Sequence, residues 1–275
     1  MAKSSKAERQ NKAAEEVLAR YSPRVSGFFE RYLARYFAKN FHGFRIAKGG
    51  EPPEISADRG LVVFNNHSSW WDPLVMFYMS RSRYGDRCGF GPIDAEAVQK
   101  YKFMLKIGLF PVEQDTARGA VQFLNVSHGL LSHGGTSLWL TPQGEFADAR
   151  RRPADFKPGI AHLARDCANV SFVPMALEYC FWNESKPELL VRFGTPVEAV
   201  AAGERSTEEW QSALERALEE TQDALKEDAI SRDPDRFTSV LSGEAGVGFA
   251  YDAWRRLKAL VTGKKFSAAH EDGPA

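Results

Sequence analysis

Residues 61–73 have the sequence LVVFNNHSSWWDP, and this stretch decides the fold. The apolar run Leu61–Phe64 predicts a buried strand, which two asparagines end. Asp72 then fits a helix N-cap and Pro73 the first helical position. His67 is therefore predicted to follow the carboxyl end of a strand, with a carboxylate one short turn further along the chain.

Strands and helices are predicted to alternate after this stretch. Apolar runs bounded by turn residues predict strands, and runs with 3.6-residue periodicity predict helices between them. The pattern predicts a single α/β domain with a mixed, largely parallel sheet flanked by helices, plus amphipathic N- and C-terminal helices. The later predicted strands are 109–112, 137–140, 171–178 and 189–193, and the later predicted helices are 94–107, 116–132, 159–167 and 206–226.

His67 and Asp72 are the candidate catalytic pair. Open α/β sheets bind ligands at the carboxyl ends of their strands, where this histidine is predicted to lie. A carboxylate bonded to one imidazole nitrogen fixes the tautomer and leaves the other nitrogen free to act as a base. A histidine and an aspartate five residues apart also occur by chance, so the spacing alone does not identify a catalytic pair.

Composition excludes several classes of protein. The 36 Lys and Arg residues balance the 36 Asp and Glu residues, so no attraction to nucleic acid is predicted. Cys88, Cys167 and Cys180 lack metal-ligand spacing and are typical of a reducing compartment, and no metal site is expected. The N-terminus has no apolar core of a secretory signal. No apolar stretch reaches the roughly 20 residues that span a bilayer.

Five blocks of the sequence resemble, in order, the motifs of the glycerolipid acyltransferase family, which includes lysophosphatidate acyltransferases. The resemblance implies transfer of a fatty acyl group from acyl-CoA or acyl carrier protein to a hydroxyl of a lysophospholipid such as lysophosphatidate. It implies no cofactor beyond this acyl thioester. The blocks are Asn66-His67-x4-Asp72, Gly108–Glu113, Thr141–Glu145, Phe156–Gly159 and Val173–Met175.

The resemblance also implies roles for individual residues. His67 would take the proton of the acceptor hydroxyl, and Asp72 would orient it. No Gly-x-Ser-x-Gly elbow surrounds Ser68 and Ser69, so direct transfer without a covalent serine intermediate is predicted. The oxyanion would be held by backbone N–H groups, either at the helix start after Trp71 or in the turn at 143–145.

Three positions depart from the family pattern. Gln143 replaces a glutamate, whereas Gln114 and Phe146 replace arginines that are expected to grip the acceptor phosphate. Clustered arginines elsewhere could hold a phosphate instead, although solvated loops or lipid contacts explain such clusters equally well. The candidate substrate-binding residues are Asn66, Gly144, Glu145 (as a replacement carboxylate), Lys157, Arg118 and the cluster Arg150, Arg151 and Arg152.

Other readings of the site stay open. The departures from the pattern favour, as an alternative acceptor, a phosphate-free lipid alcohol such as a glycosylated or terpenoid lipid. A thioesterase-like hydrolase would need only water in place of the acceptor. A non-catalytic lipid-binding protein with this fold is a further alternative, which the intact pair of His67 and Asp72 argues against.

Aromatic and basic residues at both ends predict contact with a membrane. Aromatics recur at helical spacing between Phe28 and Phe44, which is typical of an interfacial helix but also of a helix packed on its own core. We expect a peripheral protein on the cytoplasmic face of a membrane. The predicted organisation is a disordered N-terminus (1–12), a membrane-contact helical region (13–48), an acyltransferase domain (49–230) and a basic-aromatic tail (231–275).

Overall fold

The computed structural model describes residues 5–243, which form a single domain. One mixed sheet of nine strands is flanked by helices, so the predicted α/β class is confirmed. The helices are α1 (Lys6–Leu18), α2 (Pro23–Asn40), α3 (Asp72–Arg83), α4 (Ala95–Lys100), α5 (Ala117–Ser132), α6 (Gly159–Asp166) and α7 (Thr207–Ser231), with 3₁₀ turns at Lys102–Ile107 and Pro234–Arg236. The strands are β1 (Gly43–Ala47), β2 (Gly60–Asn65), β3 (Cys88–Asp94), β4 (Leu109–Val112), β5 (Thr136–Leu140), β6 (Val170–Cys180), β7 (Glu188–Phe193), β8 (Val197–Ala199) and β9 (Phe237–Ser242).

The strand order is β4-β3-β5-β2-β6-β7-β1-β9, and β8 pairs with β6. The neighbouring strands from β4 to β6 in this order are parallel, and so are β1 and β7. Strands β7 and β8 are antiparallel to β6, and β9 is antiparallel to β1. Strand β2 lies between β5 and β6, with Val63 opposite both Trp139 and Val173. The loops that follow β2 and β5 therefore leave the sheet at the same edge.

Strand β2 lies in the middle of the sheet, and helices cover both of its faces. Residues Leu61, Val62, Val63 and Phe64 are all fully buried, so the run is continuously apolar instead of alternating. Val62 and Phe64 pack into a core with residues of α1, α5, α6 and α7. Leu61 and Val63 pack into the opposite core with residues of α2 and α3.

The predicted disorder of residues 1–12 is wrong for the part that the structure describes. Helix α1 begins at Lys6 behind a capping box, in which Ser5 and Glu8 satisfy each other's backbone N–H groups. It packs against α5, where Gly129 lets the two backbones approach closely. A Cβ atom at Gly129 would lie only 2.2 Å from the backbone carbonyl oxygen of Gln10, so a larger residue here would force α1 away from α5.

One side of α2 packs on the protein's own core, so only part of its aromatic face remains open to a membrane. Leu33 and Phe37 of α2, Phe41 at its C-cap and Phe44 of β1 are buried in the core that also contains α3. Leu33 and Phe37 are apolar because the sheet needs a covering helix on this face. Residues 43–47, assigned to the membrane-contact region, instead form β1 inside the sheet.

The predicted boundary at residue 230 is also wrong. Helix α7 continues to Ser231, and β9 then pairs with β1 in antiparallel fashion, so this segment belongs to the domain. The basic-aromatic residues from Tyr251 to Lys265 lie outside the described residues. No helix in the described range of 5–243 is both long enough and apolar enough to cross a membrane.

Candidate active site

His67 and Asp72 meet at the carboxyl end of β2. The Nδ1 atom of His67 lies 2.9 Å from Oδ2 of Asp72. Asp72 is the first residue of α3 and Trp71 is the N-cap, so the helix begins one residue earlier than predicted; the Asp72 carboxylate is completely buried. The His67 side chain keeps 16% of its surface exposed. The imidazole is thus anchored on one side, and its Nε2 atom makes no hydrogen bond to any described residue.

Three donors hold the Asp72 carboxylate. Besides the imidazole, the N–H of Ser69 donates to Oδ2 at 2.8 Å, and the hydroxyl of Tyr179 donates to Oδ1 at 2.6 Å. Burial raises the pKa of Tyr179 well above its ordinary value, and the Asp72 carboxylate raises it further. Tyr179 therefore stays protonated and keeps donating. Sequence reasoning missed this residue, since the topology brings it to the site across 107 positions.

Gln143 holds the backbone of His67 in place. Its Oε1 atom accepts the N–H of His67 at 2.7 Å, and its Nε2 atom donates to the carbonyl of Ala154 at 3.1 Å. Only an amide can both accept and donate in this way, because an ionised glutamate has no hydrogen to give. The N–H of Ala147 donates to the carbonyl of His67 at 2.8 Å. The departure from the family pattern at Gln143 thus has a structural role.

Asn66 links β2 to β6. Its side-chain amide donates to the carbonyl of Leu177 at 3.0 Å and accepts the N–H of Leu177 at 2.9 Å. The residue is buried, so it positions His67 instead of lying open to a substrate. The hydroxyl oxygens of Ser68 and Ser69 accept hydrogen bonds from the Asn66 amide and the N–H of Trp71, respectively.

The turn at Gly144 has a left-handed backbone, with φ of 68°. This backbone conformation favours glycine, and a Cβ atom here would also push against the Lys157 side chain, 2.8 Å away. The N–H of Gly144 bonds the carbonyl of Thr141 and is not free for an oxyanion. The N–H groups of Glu145 and Phe146 make no hydrogen bonds within residues 5–243, and they are the turn's open donors.

Phe146 lies against the catalytic pair, which the sequence did not predict. Its ring centroid is 4.5 Å from that of the His67 imidazole, and 63% of its surface is exposed. Glu145, by contrast, points to solvent and pairs with Arg151 at 3.6 Å. The amide of Gln143, not Glu145, occupies the place next to the His67 backbone, which corrects the interpretation of Glu145 as the replacement carboxylate.

Each cation proposed to hold phosphate already faces a carboxylate. The guanidinium of Arg150 makes two hydrogen bonds to Asp148, at 2.8 and 2.7 Å. The structure brings none of these cations into contact with His67. The other pairs are Arg118 with Glu113 (3.7 Å), Arg151 with Asp155 (3.0 Å), Arg152 with Asp223 (3.2 Å) and Lys157 with Asp115 (2.6 Å).

Two cavities flank the pair. An apolar pocket lies between α3 and the neighbouring strands, with Pro73 and Thr141 at the site and Met76, Phe90 and Leu109 further in. A larger groove, open to solvent, begins at the serines after His67 and extends to α7. In residues 5–243, no group of three or more His, Cys, Asp or Glu side chains is arranged to hold a metal ion.

The His67–Asp72 pair lies at the carboxyl end of a central strand of an α/β sheet, where open sheets of this class bind their ligands. A family model of acyltransferases matches residues 48–178, which include β2, the candidate pair and most of β6. These residues form a domain of the acyltransferase family, the family of glycerolipid and lysophosphatidate acyltransferases, and the protein is an acyltransferase enzyme. No curated protein gives a significant match to the chain.

Proposed function

We propose that this acyltransferase moves a fatty acyl group from a thioester, acyl-CoA or acyl carrier protein, to a hydroxyl of a lipid. The observation that carries the proposal is the anchored imidazole of His67, with Nε2 open and Nδ1 held by a fully buried carboxylate. An alcohol is a poor nucleophile near neutral pH, and such a base contributes about 10²–10⁴-fold.

The reaction is written as direct transfer. Nε2 of His67 takes the proton of the acceptor hydroxyl while that oxygen attacks the thioester carbonyl carbon. The N–H groups of Glu145 and Phe146 are available to the oxyanion that forms. The carbon–sulfur bond then breaks, and the imidazolium returns its proton to the leaving thiolate. Asp72 stabilises the imidazolium throughout without taking the proton itself.

The two cavities fit the two halves of the reaction. The apolar pocket beside Pro73 is small, but its hydrocarbon and aromatic walls suit a few methylene groups of an acyl chain. The polar groove beside Ser68 suits an acceptor headgroup. The family resemblance favours a lysophospholipid such as lysophosphatidate as the acceptor. The carboxylate partners of the candidate cations favour the second candidate, a phosphate-free lipid alcohol.

Acyl transfer is tested with purified protein, radiolabelled palmitoyl-CoA or palmitoyl acyl carrier protein, and a total lipid extract. We expect the label to appear in a lipid ester that mild alkali cleaves, and mass spectrometry to identify the acceptor. If the label appears only in free fatty acid, the protein is a thioester hydrolase and the proposal is wrong. An unreacted thioester would favour the non-catalytic lipid-binding alternative.

We propose that the enzyme docks on the cytoplasmic face of a membrane through an exposed aromatic surface, defined as Phe28, Tyr32, Trp70 and Phe103. These side chains are between 43% and 67% exposed. A chain of ring contacts connects Tyr32 through Tyr36 and Trp71 to Trp70, next to His67 and Asp72. Exposed cations of α2, Arg24, Arg31 and Arg35, accompany this surface.

Serine at Phe28, Tyr32 and Trp70 together is expected to weaken sedimentation with anionic vesicles at least about tenfold, because apolar burial is lost. The matched control replaces two exposed aliphatic residues elsewhere, Val200 and Ile230, by serine. The vesicle binding that the wild type keeps in high salt measures the apolar contribution to the affinity, since salt screens the contribution of the cations. Equal binding by the triple variant and the control would refute this surface as the anchor.

A further inference from the structure

The groove beside the catalytic pair has balanced charge. Three carboxylates and three cations line it, which gives no formal net charge. Each cation has a carboxylate partner, because Asp148 accepts two hydrogen bonds from one edge of the Arg150 guanidinium and Asp223 faces the other two. A phosphate in the groove would meet these carboxylates as well as the cations, so the groove has no excess of positive charge to attract a dianion. The six residues are Asp148, Glu178, Asp223, Arg150, Arg152 and Lys226.

Glu178 is the uncommitted polar group of the groove. Its carboxyl makes no hydrogen bond and no ion pair within the described part of the chain. Burial raises the pKa of Glu178, and the more distant charges of Lys226 and Arg150 only partly oppose this effect. A partly buried carboxyl without a partner favours a ligand that donates hydrogen bonds, and hydroxyl groups do so without adding negative charge.

Aromatic side chains supply the rest of the groove wall. Trp71, Tyr179 and Phe181 line it together with Phe41. Phe181 is 66% exposed, so its ring is accessible to a ligand. Flat aromatic rings beside hydrogen-bonding carboxyls suit a sugar ring, which has an apolar C–H face and a rim of hydroxyls. A phosphate has no apolar face to place against such rings.

Phe146 places a further aromatic ring directly beside the proposed base, His67. It lies on the loop that supplies Asp148 and Arg150 to the groove, and its ring packs on the His67 imidazole. An acceptor that reaches the imidazole therefore meets an uncharged aromatic ring beside it, where the family pattern has an arginine. Phe146 disfavours a phosphate next to the reacting hydroxyl, because the ring neither pairs with a dianion nor hydrates it.

We infer that the acceptor of this enzyme carries an uncharged, polyhydroxylated headgroup, as a glycosyl lipid does, and that Glu178 and Phe146 determine this specificity. The inference rests on the proposed acyl transfer and names its acceptor class. The sugar occupies the groove with one hydroxyl directed at Nε2 of His67, while Glu178 accepts a second hydroxyl. Transfer then leaves the acyl group as an ester on the sugar.

The test compares dodecyl glucoside with lysophosphatidate as acceptors in mixed micelles, with palmitoyl-CoA as the donor. Wild-type kcat/KM is expected to favour the glucoside at least about tenfold, as the loss of hydrogen bonds to one acceptor implies. Glu178→Met should raise the KM for the glucoside about tenfold and leave kcat nearly unchanged. The matched control, Glu220→Met, removes an exposed carboxylate of α7 that does not line the groove.

Phe146→Arg provides a second, exposed position where folding is not at risk. It should shift the kcat/KM ratio about tenfold towards lysophosphatidate, and the ratio cancels any effect of the new charge on the base. A wild-type enzyme that acylates lysophosphatidate as well as the glucoside would overturn the inference and leave acyl transfer intact. Failure to acylate any lipid, including a total extract, would overturn the proposed function and the inference with it.

Discussion

Replacing His67 by alanine is expected to lower the rate of acyl transfer by about 10²–10⁴-fold, because the acceptor hydroxyl loses its base. The fold should survive, since the imidazole is partly exposed and its ring makes a single hydrogen bond, to Asp72. The measurement is release of coenzyme A from palmitoyl-CoA in the presence of a lipid acceptor, together with the thermal unfolding midpoint.

A matched control is His133→Ala, which removes an exposed histidine at the end of α5. This variant should transfer acyl groups at the wild-type rate. Near-normal turnover by His67→Ala would refute base catalysis at this position. A parallel loss of activity and of the unfolding midpoint would instead assign the histidine a structural role.

Asp72→Asn is expected to reduce kcat by about 10³–10⁴-fold, because the amide can favour the wrong imidazole tautomer. In the native site the carboxylate accepts three hydrogen bonds, from His67, Ser69 and Tyr179. An asparagine side chain places an N–H group against one of these donors. The imidazolium of the transition state also loses its counter-charge.

Tyr179→Phe is the matched comparison for this variant. It removes one donor to Asp72 but leaves the carboxylate and the histidine in place, so kcat should fall only about tenfold. Steady-state kinetics with unfolding curves separate the two variants. An Asp72→Asn enzyme no slower than Tyr179→Phe would show that orientation of the imidazole contributes little to catalysis.

The unfolding measurements also separate the structural role of the Asp72 carboxylate, as an acceptor of buried hydrogen bonds, from its role in catalysis. Asp72→Ala would leave buried donors of Ser69 and Tyr179 without an acceptor, at a cost of about 1–3 kcal/mol for each group. We therefore expect it to be less stable than Asp72→Asn.

The sequence by itself determined the features that depend on neighbouring residues. The apolar run Leu61–Phe64, the turn after it and Asp72-Pro73 predict a strand, a loop and a helix start, because strand burial and helix capping are local properties. His67 and Asp72 come from that one unit, so their contact could be predicted. The order of the family blocks supplied the reaction class.

Only the tertiary structure decided which side chains surround this pair. Tyr179 reaches Asp72 because β6 lies beside β2, and Gln143 and Phe146 reach His67 because β5 lies on the other side. Periodicity also could not distinguish a membrane face from a core face on α2, since both require the same apolar spacing. Strand order and the partner of each charge are set by contacts between distant segments, and these contacts leave no local signal in the sequence.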